Sequence, residues 1–192
     1  MKNKKNDHRS KYTQMIVKEA LLKLLAEKPL NKIAVSELCL FAEVNRGTFY
    51  NHFYDVFDVY ESIENDLYNE VKAKLENIKS DDLNKPFFKE IMLLIYKNAD
   101  LVRLIINDRN NSDILKRIIG FVRNKFIEEW SKAFKGHTVL FFDKVFSYVT
   151  NGSIGIISDW VYSEMREPLD EIAATIAELN ELIMNTYLNT HC

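Results

Sequence analysis

The residues with chemistry to offer lie close together near the front of the chain. Arg46, Thr48, Tyr50, Asn51 and His52 bring a guanidinium, two hydroxyls, a carboxamide and an imidazole into seven positions, with Gly47 among them. They do not form a catalytic set. No nucleophile motif, phosphate-binding glycine loop or recognisable carboxylate pair accompanies them in the 192 residues. What such a set can do is hydrogen-bond to nucleic acid. A guanidinium forks onto guanine, a threonine methyl meets the thymine methyl, and Asn or His bonds a base or a phosphate. The Tyr50 hydroxyl reaches a phosphate, and Gly47 leaves the backbone bare where DNA comes close. Phe49 and Phe53, interleaved with these residues, are expected to anchor the stretch from behind.

These groups need a helix to aim them. Residues 10–27 read as a first helix, because Val17, Ala20, Leu21, Leu24 and Leu25 fall on one face. Pro29 ends it. A short second helix spans 35–41 with Leu38 and Phe41 inward, and 42–44 break the chain. Asn45 is a good N-cap, since its side chain accepts from the free amides of the next turn. A third helix over about 46–52 follows, and Asp55 caps a fourth that runs to about 78. Two short helices across a tight break, behind a longer one, have the layout of a helix-turn-helix, whose last member enters the major groove.

The rest of the chain repeats helical periodicity without strand-like alternation. Pro86 suits the first turn of a helix carrying Phe87, Phe88, Ile91, Leu94 and Ile95. Further helices are expected over about 100–107, 112–134 and 139–164, and a last one after Pro168. Five Gly and three Pro leave few turn signals, which also argues for long helices. The expected fold is all-α, with about nine helices: a three-helix helix-turn-helix domain at 1–54 and a larger helical bundle at 55–192, joined by a connecting helix at 55–78.

Composition narrows the function. Residues 1–54 hold ten Lys or Arg and five Asp or Glu, net +5; of the totals of 26 and 28, that leaves 16 and 23, net −7, for the remainder. A basic front on an acidic body suits a polyanionic partner. Two distant cysteines and four scattered histidines give no zinc pattern, and no metal or other cofactor is expected. The basic opening lacks the apolar core of a signal peptide, and no apolar run is long enough to span a bilayer. The expectation is a reduced, cytoplasmic protein that is not an enzyme.

The front of the chain resembles the TetR family of bacterial transcriptional regulators. The match runs from about Met15 to Tyr60. It lies in Ile33-Ala34-Val35-Ser36-Glu37-Leu38, Ala42-Glu43-Val44-Asn45-Arg46-Gly47-Thr48-Phe49-Tyr50 and His52-Phe53. Family members typically read Thr-Val-x-x-Ile-Ala, then Ala-Gly-Val-Ser-x-Gly-Thr-Leu-Tyr-x-His-Phe. Carried over by position, the resemblance implies DNA contacts from Ser36, Arg46, Gly47, Thr48, Tyr50, Asn51 and His52. Lys11 and the basic arm before it add candidate phosphate contacts. Three positions depart from the pattern. Ala34 replaces the usual Thr, Glu43 the turn glycine, and Val56 a lysine that commonly touches phosphate.

The resemblance further implies a homodimer on a palindromic double-stranded operator and a small-molecule effector bound in the rear domain. Residues 139–164 and 169–188 are the most apolar late helices. They suggest an interface through Phe146, Val149, Gly152, Ile156, Trp160, Ile176 and Ile183. The effector is expected among Phe88, Met92, Tyr96, Phe126, Trp130 and Phe142. Effector binding would act through the connecting helix on operator affinity, most commonly as derepression. A protein-binding co-regulator that keeps the fold is the alternative.

Overall fold

The computed structural model describes residues 2–76, 85–107 and 113–189. Among them it contains nine α-helices and no strand: α1 (Lys2–Leu25), α2 (Val35–Phe41), α3 (Arg46–Tyr50), α4 (Val56–Leu75), α5 (Lys85–Lys97), α6 (Ala99–Asn107), α7 (Asp113–Ala133), α8 (Val139–Tyr162) and α9 (Leu169–Asn189). A single 3-10 turn over Leu30–Lys32 follows Pro29. The all-α expectation holds. The polar break expected at 80–82 and the last residues of the connecting helix lie outside the described residues.

The chain divides into two compact units, Met1–Leu67 and Tyr68–Cys192. The division falls inside α4, thirteen residues beyond the boundary expected at 54. The first half of α4 explains this, because its Val56, Val59, Ile63 and Leu67 are all buried. They continue the interior formed by Val17, Leu21 and Leu24 of α1, Leu38 of α2, and Phe49 and Phe53.

Three local expectations need correction. α1 begins at Lys2 and not near residue 10. Its opening is polar and shows no apolar stripe, yet lysine is a good helix former and propagation from an anchored helix adds one bond per residue. α3 stops at Tyr50, so Asn51 and His52 stand in the turn after it. Phe41 is half exposed rather than inward, because the inner face of the short α2 is taken by Leu38 and Cys39.

In the rear unit α5 packs on α9, α7 on α8, α8 on α9, and α6 on α8. Two apolar clusters fill it. One joins Met92, Val102, Trp160, Val161, Ile172, Ala173 and Ile176; the other joins Ile127, Trp130, Phe142, Val145, Phe146 and Val149. Tyr68 of α4 meets Phe121 edge-on at 6.1 Å, and the Arg117 guanidinium lies 4.6 Å over its ring. No described helix is long and apolar enough to cross a membrane.

Candidate nucleic-acid interface

The turn between α2 and α3 sets the aim of α3. At the end of α2 the Val44 amide donates to the Cys39 carbonyl (2.9 Å) and the Glu43 amide to the Leu40 carbonyl (3.2 Å). This is a Schellman closure, and it requires a left-handed residue at Glu43, whose φ is 54°. A glycine would adopt that conformation freely, whereas an L side chain is strained there by about 1 kcal/mol. Glu43→Gly is therefore expected to raise front-unit stability by up to about 1 kcal/mol, measured as a shift of the urea midpoint at constant slope. An unchanged or lower midpoint would mean that the strain is relieved by some other contact.

Asn45 then caps α3 as expected: its Oδ1 accepts the Thr48 amide at 2.8 Å. Ala34, at the corresponding place before α2, makes no side-chain cap. The Lys28 ammonium, hydrogen-bonded to the Glu37 carboxylate, holds the start of α2 instead and keeps that carboxyl below the usual range.

The residues of the candidate site separate by exposure. Phe49 is 0% exposed and Phe53 is buried, with ring centroids 5.9 Å apart. Tyr50 crosses Phe49 edge-on at 5.4 Å and stays 58% exposed. Ser36, Arg46, Gly47 and Asn51 are exposed, and Thr48 and His52 are half-buried. A Cβ added at Gly47 would meet only Asn45 Oδ1, at 3.4 Å, so the protein itself tolerates a side chain there. Lys11 is exposed on α1. Burial pushes the Cys39 thiol up, although the Arg46 charge pulls the other way, which keeps Cys39 a protonated core residue.

Val56 is 5% exposed, so the first turn of α4 contributes to the core where a lysine would contact phosphate. The carboxylates nearby are engaged with backbone: Asp55 Oδ1 accepts from the Asp58 amide (2.9 Å) and Asp58 Oδ2 from the Tyr54 amide (2.7 Å). Two features carried no sequence signal. His52 Nδ1 lies 3.4 Å from Ser10 Oγ, a contact between residues 42 apart. Leu40 and Tyr54 are 82% and 83% exposed, and Phe57 is also exposed.

The rear-unit candidates do not gather at one place. Phe88 and Met92 belong to the first apolar cluster and Tyr96 leans on its Trp160; Phe126, Trp130 and Phe142 belong to the second. Met92, Trp130 and Phe142 are fully buried, and among the described residues the Trp130 indole N–H is buried without a partner. Of the interface candidates, Phe146 and Trp160 are interior to the single chain, and Trp160 Nε1 donates to the Glu167 carbonyl at 2.9 Å. Val149 and Ile176 are buried in the two clusters as well, and together with Gly152, Ile156 and Ile183 they line a groove of about 610 Å³ between α8 and α9. Ser147, Tyr148, Asn151, Ser153, Leu179 and Asn180 complete it.

Among curated proteins no match was found. Solved structures share the fold. A transcriptional regulator from Aquifex aeolicus superposes with a TM-score of 0.67 at 16% identity, covering 89% of this chain and 99% of that one. The regulator FadR from Bacillus subtilis, solved with stearoyl-CoA, gives 0.62 at 14% identity over 86% and 96%. The dihydroxyacetone kinase operon activator DhaS gives 0.59 at 18% identity over 92% and 98%. Residues 82–182, more than half the chain, match the model of a transcriptional regulator C-terminal region of TetR type. With a helix-turn-helix in front and that region behind, the chain belongs to the TetR family of transcriptional regulators.

Proposed function

We propose that this regulator binds a palindromic DNA operator sequence-specifically as a homodimer, responds to a small-molecule effector, acts as a repressor in the cytoplasm and catalyses no reaction. One observation carries the DNA-binding part. α3 is pinned through the buried Phe49 while Arg46, Gly47 and Asn51 stay exposed, so a polar edge is held rigidly on an apolar base. Selection of bound duplexes from a random pool tests this. A palindromic operator should emerge, with half-sites about one helical turn apart and an affinity that falls steeply with salt. A pool in which nothing is enriched would overturn the reading.

The α8/α9 groove supports the dimer. Tyr148 and Leu179 line it and are 69% and 46% exposed, an apolar surface that a second copy would cover. A Cβ at Gly152 or Gly155 would meet nothing within 4 Å, so folding of one chain does not require glycine at either place. Gly152→Arg should therefore leave helix content unchanged and convert the protein to monomer in sedimentation. A dimer that tolerates this arginine would move the interface elsewhere.

The effector reading rests on the buried Trp130 N–H, which has no partner among the described residues and which an acceptor on an apolar molecule would satisfy. FadR, of the same fold, holds stearoyl-CoA. A coupling of about 1–3 kcal/mol would change operator affinity about 5–150-fold. DhaS is an activator, so a reporter gene under the selected operator decides the sign. The exposed Leu40, Tyr54 and Phe57 favour a second reading, a co-regulator that grips a protein partner. A stoichiometric protein complex together with an empty duplex selection would establish it.

A further inference from the structure

We infer that Gln14 and Ser10 of α1 fix the tautomer of His52, so that its Nε2–H is a standing hydrogen-bond donor to the DNA backbone at neutral pH; the donor role rests on the DNA-binding reading above.

The geometry is a short chain of part-buried polar groups. Gln14 Nε2 donates to Ser10 Oγ at 3.5 Å, and Ser10 Oγ lies 3.4 Å from His52 Nδ1. A carboxamide nitrogen only donates, and a serine hydroxyl has one proton. With its oxygen receiving from Gln14, Ser10 keeps its one proton to give, and Nδ1, 3.4 Å away, is taken as its acceptor. A neutral imidazole whose Nδ1 accepts carries its own proton on Nε2. The nitrogen left for an outside partner is then always a donor. Without Ser10, part of the population would present an Nε2 lone pair, which repels phosphate. The same chain ties α1 to the turn after α3, where His52 stands.

His8, Arg9 and Lys11 neighbour Ser10 in sequence on α1, Arg46 opens α3, and Asp55 and Asp58 stand at the head of α4. Both carboxylates accept from backbone amides, at 2.9 and 2.7 Å. The contact on Nδ1 is with a serine and not with a carboxylate. Both contacts of the chain are long, which sets the expected effect at several-fold rather than orders of magnitude.

Two measurements test the inference. Nitrogen-15 spectra of the free protein, with His52 assigned by its loss in His52→Gln, should show the Nε2–H tautomer in the wild type and a mixture in Ser10→Ala. Operator affinity at pH 8 should fall about 3–10-fold in Ser10→Ala. Ser10→Thr should restore wild-type behaviour, and Ser10→Ala should add nothing in a His52→Gln background. A mixed tautomer in the wild type overturns the inference. So does a Ser10→Ala loss that persists beside His52→Gln, since that would be a merely structural role. A tautomer fixed as described in a protein that selects no duplex overturns the DNA-binding reading, and the donor role with it.

Discussion

Replacing Arg46 with alanine lowers affinity for the selected operator about 10–100-fold and flattens discrimination at the base it reads. The size follows from where the side chain stands. Arg46 is the first residue of α3, exposed, and has no ion-pair partner among the described residues. Its removal thus costs the fold little, and the loss belongs to the complex. Arg46→Lys separates charge from shape. A lysine keeps the attraction to phosphate but lacks the planar fork, so affinity should recover in part while discrimination does not. Fluorescence anisotropy on the operator and on single-base variants measures both. If affinity falls equally for every sequence and the salt slope drops by about one, Arg46 contacts phosphate rather than a base.

Phe49→Ala has the second large effect, on stability. The side chain is 0% exposed and lies against the rings of Tyr50 and Phe53. Truncating a ring so enclosed removes its transfer energy and leaves a cavity, together about 3–5 kcal/mol. That is a large part of the 5–15 kcal/mol or so by which a domain is stable. Urea denaturation followed by far-UV circular dichroism should show an early transition. Phe49→Leu, which keeps most of the volume, should be milder. A change below about 1 kcal/mol would mean that α3 is held by something other than this ring.

The sequence was most legible where a pattern is local. Apolar stripes placed most of the long helices and the Asn45 and Asp55 caps opened α3 and α4; the Asn45 cap appears at 2.8 Å, and Phe49 and Phe53 face inward as expected. Ends were harder. α1 extends over a polar opening because helix propagation needs no apolar face, and α3 stops at Tyr50 although its polar signal runs on to His52. What depended on distant residues could not be read. Trp130 and Trp160 look alike as aromatic members of helical stripes, yet they fall in separate clusters, and among the described residues the Trp160 indole N–H has a partner and that of Trp130 has none. Gly152, Ile156 and Ile183 border a groove while Phe146, on the same helix as Gly152, points into the core. Which side of an amphipathic helix meets its own chain is a fact of tertiary packing, and spacing alone does not encode it.

Both tryptophans lie in the rear unit, and Met1–Leu67 contains none. Indole emission thus reports melting of that unit and is silent about the one that carries α3. A protein with Phe49→Ala could show an unaltered fluorescence curve while its ellipticity already declines, and the gap between the two traces would measure how independently the halves unfold. The two chromophores also differ: Trp160 donates to a carbonyl, whereas the Trp130 nitrogen has no acceptor among the described residues, so a change in emission on adding an effector, kept in Trp160→Phe and lost in Trp130→Phe, would locate the binding event at α7.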